Sequence, residues 1–421
     1  MEPPTLSRTQ RCVTLAAAIL VAGVLSGIAG GATTLLVRLV EHLSFGYSAG
    51  PLLVGVMDAS IERRIAGPAI GCALAGMGWW LLRRRTTVPG LTDSIRSGKP
   101  FDQKPMAADA LLQILAVGSG ASLGREQAPR LFAAAFTELI VRFSSIATEH
   151  RRVLLGSAAG AGLAAVYNVP IAGVLFTVSI VLKDRKPFTV LVAIATSCIA
   201  TVTVWPLSHG DPAFLWPDTH YSARALVFVA FVMPTAVLVG GAFNSLIERA
   251  RPKVPPSTWT LIPLIGLAGL ITGTVSIWMP QMPGNGKSII LETLEGSDTL
   301  IPIAVAMVMK PVLTAMFIRL GAVGGMLTPA LSTGVAMGAF VALVVNQFGG
   351  SASVPTLGLI GGAAVLGITQ HAPVFAAVFT AELTHPPFEV WGMLLLGSVG
   401  AHLVRLAIVR QRERRRGPAE K

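Results

Sequence analysis

Glu126 stands in Gly124-Arg125-Glu126-Gln127-Ala128-Pro129, directly after an apolar stretch running from Ala107 to Leu123. A carboxylate in a membrane-embedded segment is costly and is a functional candidate by default. Its neighbours suit an abrupt helix start, since glycine lets a backbone approach a ligand closely and proline in the first turn wastes no N–H. A helix that begins inside a low-dielectric medium presents unpaired N–H groups and a partial positive charge. An anion satisfies both. At such a turn the Glu126 carboxylate can occupy the anion site itself, and protonation releases it, so one side chain serves as gate and proton carrier. The competing reading pairs Glu126 with Arg125 or leaves it at an interface.

A second segment repeats these ingredients. Gly324-Gly325-Met326-Leu327-Thr328-Pro329-Ala330-Leu331 matches Gly124 to Leu131 at Gly, Pro and Leu, with 324 answering to 124. Further on, Leu163, Pro170, Phe176 and Thr177 meet Leu366, Pro373, Phe379 and Thr380 at nearly the same offset. Two blocks agreeing on one spacing indicate an internal repeat, placed at residues 12–205 and 222–409. Transporter folds built from such repeats hold their substrate between broken helices at the repeat interface.

The elements that must position these turns are membrane helices. Hydrophobic residues make up 52% of the 421-residue chain and charged ones 13%, with a mean hydropathy of +0.67. A soluble chain of this length needs more charged surface. Windows of about 20 apolar residues, enough to span a bilayer, run from Cys12 to Val40, Ile65 to Leu82, Ala225 to Ile247, Trp259 to Trp278, Ile301 to Ile318 and Val390 to Val409. Three more, Ala107 to Leu123, Val153 to Leu182 and Gly358 to Leu383, are apolar but interrupted by Gly and Pro. The pattern predicts an all-α membrane protein of about 10–12 segments, some too short to span, forming one membrane domain over 1–421. No segment alternates as a barrel strand would.

The net charge of +12 is not spread as a nucleic-acid surface would be. It sits at span ends, in Arg8 and Arg11, Arg83 to Arg85, Arg151-Arg152 and Arg410 to Arg416. That placement predicts a cell-membrane protein with both termini cytoplasmic and no nucleic-acid partner. Trp79-Trp80 beside the arginines reads as an interfacial belt. Cys12, Cys72 and Cys198 lack metal or CxxC spacing and read as small packing residues. Gly284-Asn285-Gly286-Lys287-Ser288 has Gln281 where a phosphate loop requires its first glycine, so it reads as a helix-start turn. No hydrolase constellation, metal site or cofactor motif is present, so no enzyme is expected.

Gly124-Arg125-Glu126 followed by Pro129 resembles the GREGP motif of the CLC family of chloride channels and proton/chloride antiporters. Gly324 to Pro329 is similar to that family's GGxFxP motif, with Lys310 in the apolar helix before it. Gly156 to Gly160, Asn168 to Gly173 and the counterpart Gly361 to Glu382 resemble further blocks, and the resemblance runs in order from about residue 15 to 405. It is to a divergent member of prokaryotic type without a cytoplasmic regulatory domain. The resemblance implies an inverted repeat of tilted, broken helices, a homodimer in the lipid bilayer, and an ion pathway in each subunit. It makes Glu126 the gating glutamate, with Gly124, Arg125 and Gln127 around it and Gly325, Met326 and Leu327 as the second set of anion-binding positions, through main-chain N–H groups. The family's GSGIP loop aligns with Val88-Pro89-Gly90-Leu91-Thr92. Pro89, Gly90 and Leu91 are thus the remaining anion-binding candidates, and Pro89 has no hydroxyl where the family has serine.

Two further departures bear on mechanism. Ile180 stands where the antiporters carry an inner glutamate, and the region after the last span, Arg410 to Lys421, holds no tyrosine to match the pore tyrosine. The expected function is transport of a small inorganic anion, most simply chloride, gated by Glu126 and passive or weakly coupled to protons. The alternatives are a fluoride or other anion/proton exchanger and, in another class, a non-transporting membrane scaffold or sensor.

Overall fold

The computed structural model describes residues 7–142, 148–217 and 225–416. Their regular structure is helical, with no β-strand among the described residues and only an isolated bridge between Gly124 and Gly325. Seven helices are long and apolar enough to cross a membrane: Arg8–Phe45, Ile61–Arg85, Pro187–Ser208, Leu226–Ala250, Leu300–Arg319, Leu327–Gln347 and Phe388–Gln411. Four shorter apolar helices, Pro170–Val181, Leu261–Val275, Val354–Gln370 and Pro373–Thr384, accompany them. The expected number of segments is met, with the short ones where Gly and Pro interrupt the apolar runs.

The interruptions share a backbone cause. Helix Thr148–Tyr167 stops at Asn168, which is left-handed at φ 58°. Val169 is then held near φ −129°, and Pro170 opens the next helix at its first position. In the second half, helix Val354–Gln370 stops at His371, φ 54°, Ala372 lies near φ −139°, and Pro373 restarts the chain. Proline pushes its predecessor out of the helical region, yet suits a first turn. The repeat seen in the sequence is therefore also a repeat of dihedral angles. At the first break the Asn168 amide donates to the carbonyls of Gly210 and Asp211, at 2.7 and 3.0 Å.

The chain gathers into two compact units. The first takes the chain up to Arg38 with Gly78–Ile114 and Glu126–Ala213; the second takes Leu39–Met77, Leu115–Arg125 and the chain from Phe214. In the first, helix Gln127–Arg142 is tied to helix Thr148–Tyr167 by a buried ion pair, Arg151 Nη2 to Glu138 Oε2 at 2.5 Å. Gly162 lets that same neighbour approach the Pro129 carbonyl, since a Cβ there would lie 2.7 Å from the oxygen. In the second unit, helix Leu327–Gln347 lies directly on helix Val354–Gln370, and a Cβ on Gly334 would stand 2.5 Å from the Gly361 carbonyl oxygen. Small residues that permit such approach are the usual membrane packing device, because lipid removes the hydrophobic drive between helices.

Two sequence expectations need correction. Trp79 is not a belt residue: it is fully buried, and only Trp80 is partly open, with the Arg84 guanidinium 4.9 Å from its ring centroid. Successive helical residues point about 100° apart, so an adjacent tryptophan pair cannot both face the interface. Of the cysteines only Cys72 packs inside; Cys12 and Cys198 lie exposed on helix surfaces.

Candidate functional site

The second unit builds a rigid frame around Gly124. Gly124 N–H donates to the Gly325 carbonyl at 2.7 Å and Gly325 N–H donates back at 2.9 Å. This two-way bridge locks the first glycine turn to the second, and helix Leu327–Gln347 begins two residues beyond it with Met326 at the N-cap. Two more ties hold the segment leading to Gly124. Gly284 N–H donates to the Gly120 carbonyl at 3.0 Å, and the Ser122 and Thr314 hydroxyls meet at 3.3 Å. Lys310, fully buried, donates from Nζ to the carbonyls of Met282 and Gly284, at 3.0 and 2.6 Å. The turn 284–286 therefore gives its Gly284 carbonyl to a lysine and starts helix Lys287–Glu295 from Gly286, which is left-handed at φ 97°. Ser119 is a packing residue, buried 3.4 Å from the Ser44 hydroxyl and against Gly71.

Leu327 is buried and Met326 half-buried, so neither side chain adds a polar ligand. What this helix start offers is main-chain N–H and the positive end of a 21-residue helix, which suits an anion. Arg125, half-buried, has Glu41 within electrostatic reach, and Lys287 acts on the same carboxylate. Glu41 also accepts from the Tyr47 hydroxyl at 3.2 Å. The carboxylate facing Arg125 in this unit is thus Glu41, which adjacency in the sequence does not reveal.

In the first unit Glu126 is fully buried at the start of helix Gln127–Arg142. Ala128 and Pro129 are buried with it, and Gln127 is half-buried. Arg130, one turn on, lies within electrostatic reach of Glu126, and its guanidinium sits 4.4 Å from the centre of the Phe176 ring. A buried acid at a helix start, with a cation one turn away, is a negative charge held where an anion would be stabilised. Helix Gln127–Arg142, at 16 residues, is one of the pieces too short to span.

Pro89 and Gly90 are exposed on a separate segment of this unit, with Gly90 at the N-cap of helix Leu91–Ser97 and Leu91 buried. Pro89 borders a depression of about 320 Å³ with Thr87, Ser94, Ser97, Lys99 and Asp102. The Ser94 hydroxyl donates to the Gly90 carbonyl at 2.9 Å, and Ser97 to the Ser94 carbonyl at 2.9 Å. Helix Pro170–Phe176 runs on into a π-turn over Thr177–Val181, where Ile180 falls. Arg96 donates to the carbonyls of Ile180 and Val181 at 2.6 and 2.8 Å. A π-turn loosens the regular ladder, and here a guanidinium takes up the carbonyls at the position where resemblance asked for an acid.

The profile of the family described as Voltage gated chloride channel matches residues 78–406. The chain belongs to that family. Among curated relatives, the voltage-gated ClC-type chloride channel ClcB of Salmonella typhimurium is 28% identical over 400 residues, covering 91% of this chain and 94% of the relative. The ClcB of Escherichia coli is 27% identical over the same span. Among solved structures, a slow cyanobacterial Cl⁻/H⁺ antiporter superposes with a TM-score of 0.78 at 19% identity, covering 94% of this chain and 95% of its own. A CLC-type fluoride/proton antiporter gives 0.69 at 16%, covering 95% and 97%. The chain is thus a multi-pass membrane protein with the CLC transporter fold, from a family that transports anions across membranes.

Against that family, one group went unseen in the sequence. Asp109, in helix Gln103–Gly118, is 4% exposed. Its Oδ1 accepts from Trp79 Nε1 at 2.8 Å and its Oδ2 from Gln113 Nε2 at 2.7 Å. The same test that marked Glu126, an acid inside an apolar run, marks Asp109. It lies outside the sequence blocks that carry the resemblance above.

Proposed function

We propose that the chain carries a small inorganic anion, most simply chloride, across the cell membrane along a CLC-type pathway gated by Glu126, passively or with weak proton coupling. The observation that carries this reading is the buried Glu126 carboxylate at a helix start, two residues after the backbone bridge between Gly124 and Gly325. Main-chain groups of Gly124, Arg125, Gln127, Gly325, Met326 and Leu327 supply the ligands. Pro89, Gly90 and Leu91 are the remaining anion-binding positions, and none of them brings a side-chain hydroxyl. Ionised, Glu126 competes with the anion; protonated, it withdraws. Passive or loosely coupled flow is favoured because Ile180 offers no carboxylate and its carbonyl is occupied by Arg96. The working form is a homodimer with both termini cytoplasmic, and no step needs a metal, a cofactor or bond-making chemistry.

The test is the reversal potential of reconstituted protein under crossed chloride and proton gradients. The reading expects a potential that follows chloride and moves little with protons. A displacement fixed by the proton gradient means tight exchange, and absence of any flux from folded protein refutes anion transport in favour of a scaffold or sensor. Pro89 supports a second reading, since losing a hydroxyl ligand changes which anion is held best. Fluoride flux above chloride flux would select it.

A further inference from the structure

We propose that Asp109 is a second intramembrane proton-binding site, built so that both its charged and its neutral forms are hydrogen-bonded. Its use in coupling rests on the anion-pathway reading above; the proton binding itself does not.

Asp109 lies inside helix Gln103–Gly118 and is almost fully buried, yet both of its hydrogen bonds come from neutral donors, the Trp79 indole and the Gln113 amide. Among the described residues the charged group acting on it is Arg83, one turn after Trp79 on helix Ile61–Arg85. The Arg83 guanidinium lies 5.7 Å from the Trp79 ring centroid. Glu138 shows the alternative arrangement. Its carboxylate meets Arg151 at 2.5 Å, a charge fixed in place by an opposite charge. Asp109 is held instead by groups that tolerate either protonation state.

Gln113 is the second, independent observation. It is 2% exposed, and while its Nε2 serves Asp109, its Oε1 is buried with no hydrogen-bond partner. Leaving an amide oxygen unsatisfied in an apolar interior is costly. An amide carries a donor on one side and an acceptor on the other. With Asp109 ionised, Nε2–H donates to Oδ2. With Asp109 protonated, half a turn of the amide brings Oε1 to accept the new O–H, and the unsatisfied oxygen gains its partner. Trp79 goes on donating to Oδ1 throughout. The proton is taken up as one O–H bond on Oδ2 and returned by breaking it, with no other bond changed.

Placement gives the site a use. Asp109 stands nine residues before the end of its helix, roughly 13 Å along the axis at 1.5 Å per residue, on the side of the basic run Arg83 to Arg85. The chain then turns and reaches Glu126. A second proton-binding carboxyl is what weak coupling needs when Ile180 supplies none.

Infrared difference spectra of the purified full chain, recorded between about pH 4 and pH 9 without any gradient, test the site directly. The expected result is a protonated-carboxyl band that grows on acidification, persists in Glu126→Gln and disappears in Asp109→Asn. Trp79→Phe keeps the carboxyl but removes one donor, so it should shift that band to higher frequency; this variant serves if Asp109→Asn fails to fold. A carboxyl signal unaffected by either variant, or an Asp109 band constant across the range, overturns the proposal. The band is read without transport, so in a parallel efflux assay flux lost with the band retained removes the anion-pathway reading alone. Flux retained with the band absent removes this site alone.

Discussion

The turn from Gly124 to Pro129 and the turn from Gly324 to Pro329 share a backbone plan and differ in side chains. Both start a helix from glycine, with proline in the first turn, and their glycines exchange two N–H bonds. The first carries Arg125, Glu126 and, one turn on, Arg130; the second carries Met326 and Leu327. The helices they start are also anchored differently, Gln127–Arg142 by the Glu138–Arg151 ion pair and Leu327–Gln347 by close packing at Gly334. The two turns thus share a main-chain plan, while only the first carries ionisable side chains.

Breaking the anchor of the first helix should have the largest effect. Arg151→Met leaves Glu138 buried and unpaired, which costs about 3–5 kcal/mol. Thermal unfolding in detergent should fall sharply, and Glu138→Gln in the same chain should recover much of the loss. Gly324→Val tests the bridge itself. A Cβ there would stand 2.8 Å from the Leu123 Cβ, and overpacking of this kind costs about 1–3 kcal/mol. Anion efflux should drop by about tenfold or more while far-ultraviolet dichroism stays helical.

Met326→Ala should do little. If the second turn offers only main-chain N–H, efflux should stay within about twofold of wild type; a larger loss would mean that the thioether matters. The smallest effect is a control on titration. Burial, with Asp298 and Glu295 close by, raises Glu292 to about 7 from an ordinary 4.5. The folded state thus holds this proton more tightly than the unfolded one, so the stabilisation is full below about pH 4.5 and lost as pH rises through about 7. Glu292→Gln should raise the unfolding temperature above pH 7, leave it unchanged below pH 4.5, and leave the pH profile of efflux alone.

Much of the frame was legible because its causes are local. Proline and left-handed residues break helices within three positions, so Asn168 to Pro170 and His371 to Pro373 could be read directly. Gly124, Glu126 and Gly325 could be singled out because membrane burial makes acids and backbone gaps conspicuous. What could not be read depends on which helix faces which. Arg96 meets the Ile180 carbonyl across 84 residues, and no periodicity announces that. Trp79 looked like a belt residue because Arg83 to Arg85 follow it, while its true partner, Asp109, lies 30 residues away. Asp109 itself was readable as an acid in an apolar run, but its bond to the Trp79 indole was not.

The central claim is that one side chain, Glu126, makes an otherwise main-chain anion pathway respond to protons. The direct measurement is chloride efflux from proteoliposomes across about pH 4.5 to 7.5, wild type beside Glu126→Gln. Efflux by the wild type should rise on acidification, and the variant should run at that acid level at every pH. A variant that keeps the wild-type pH profile would contradict the account.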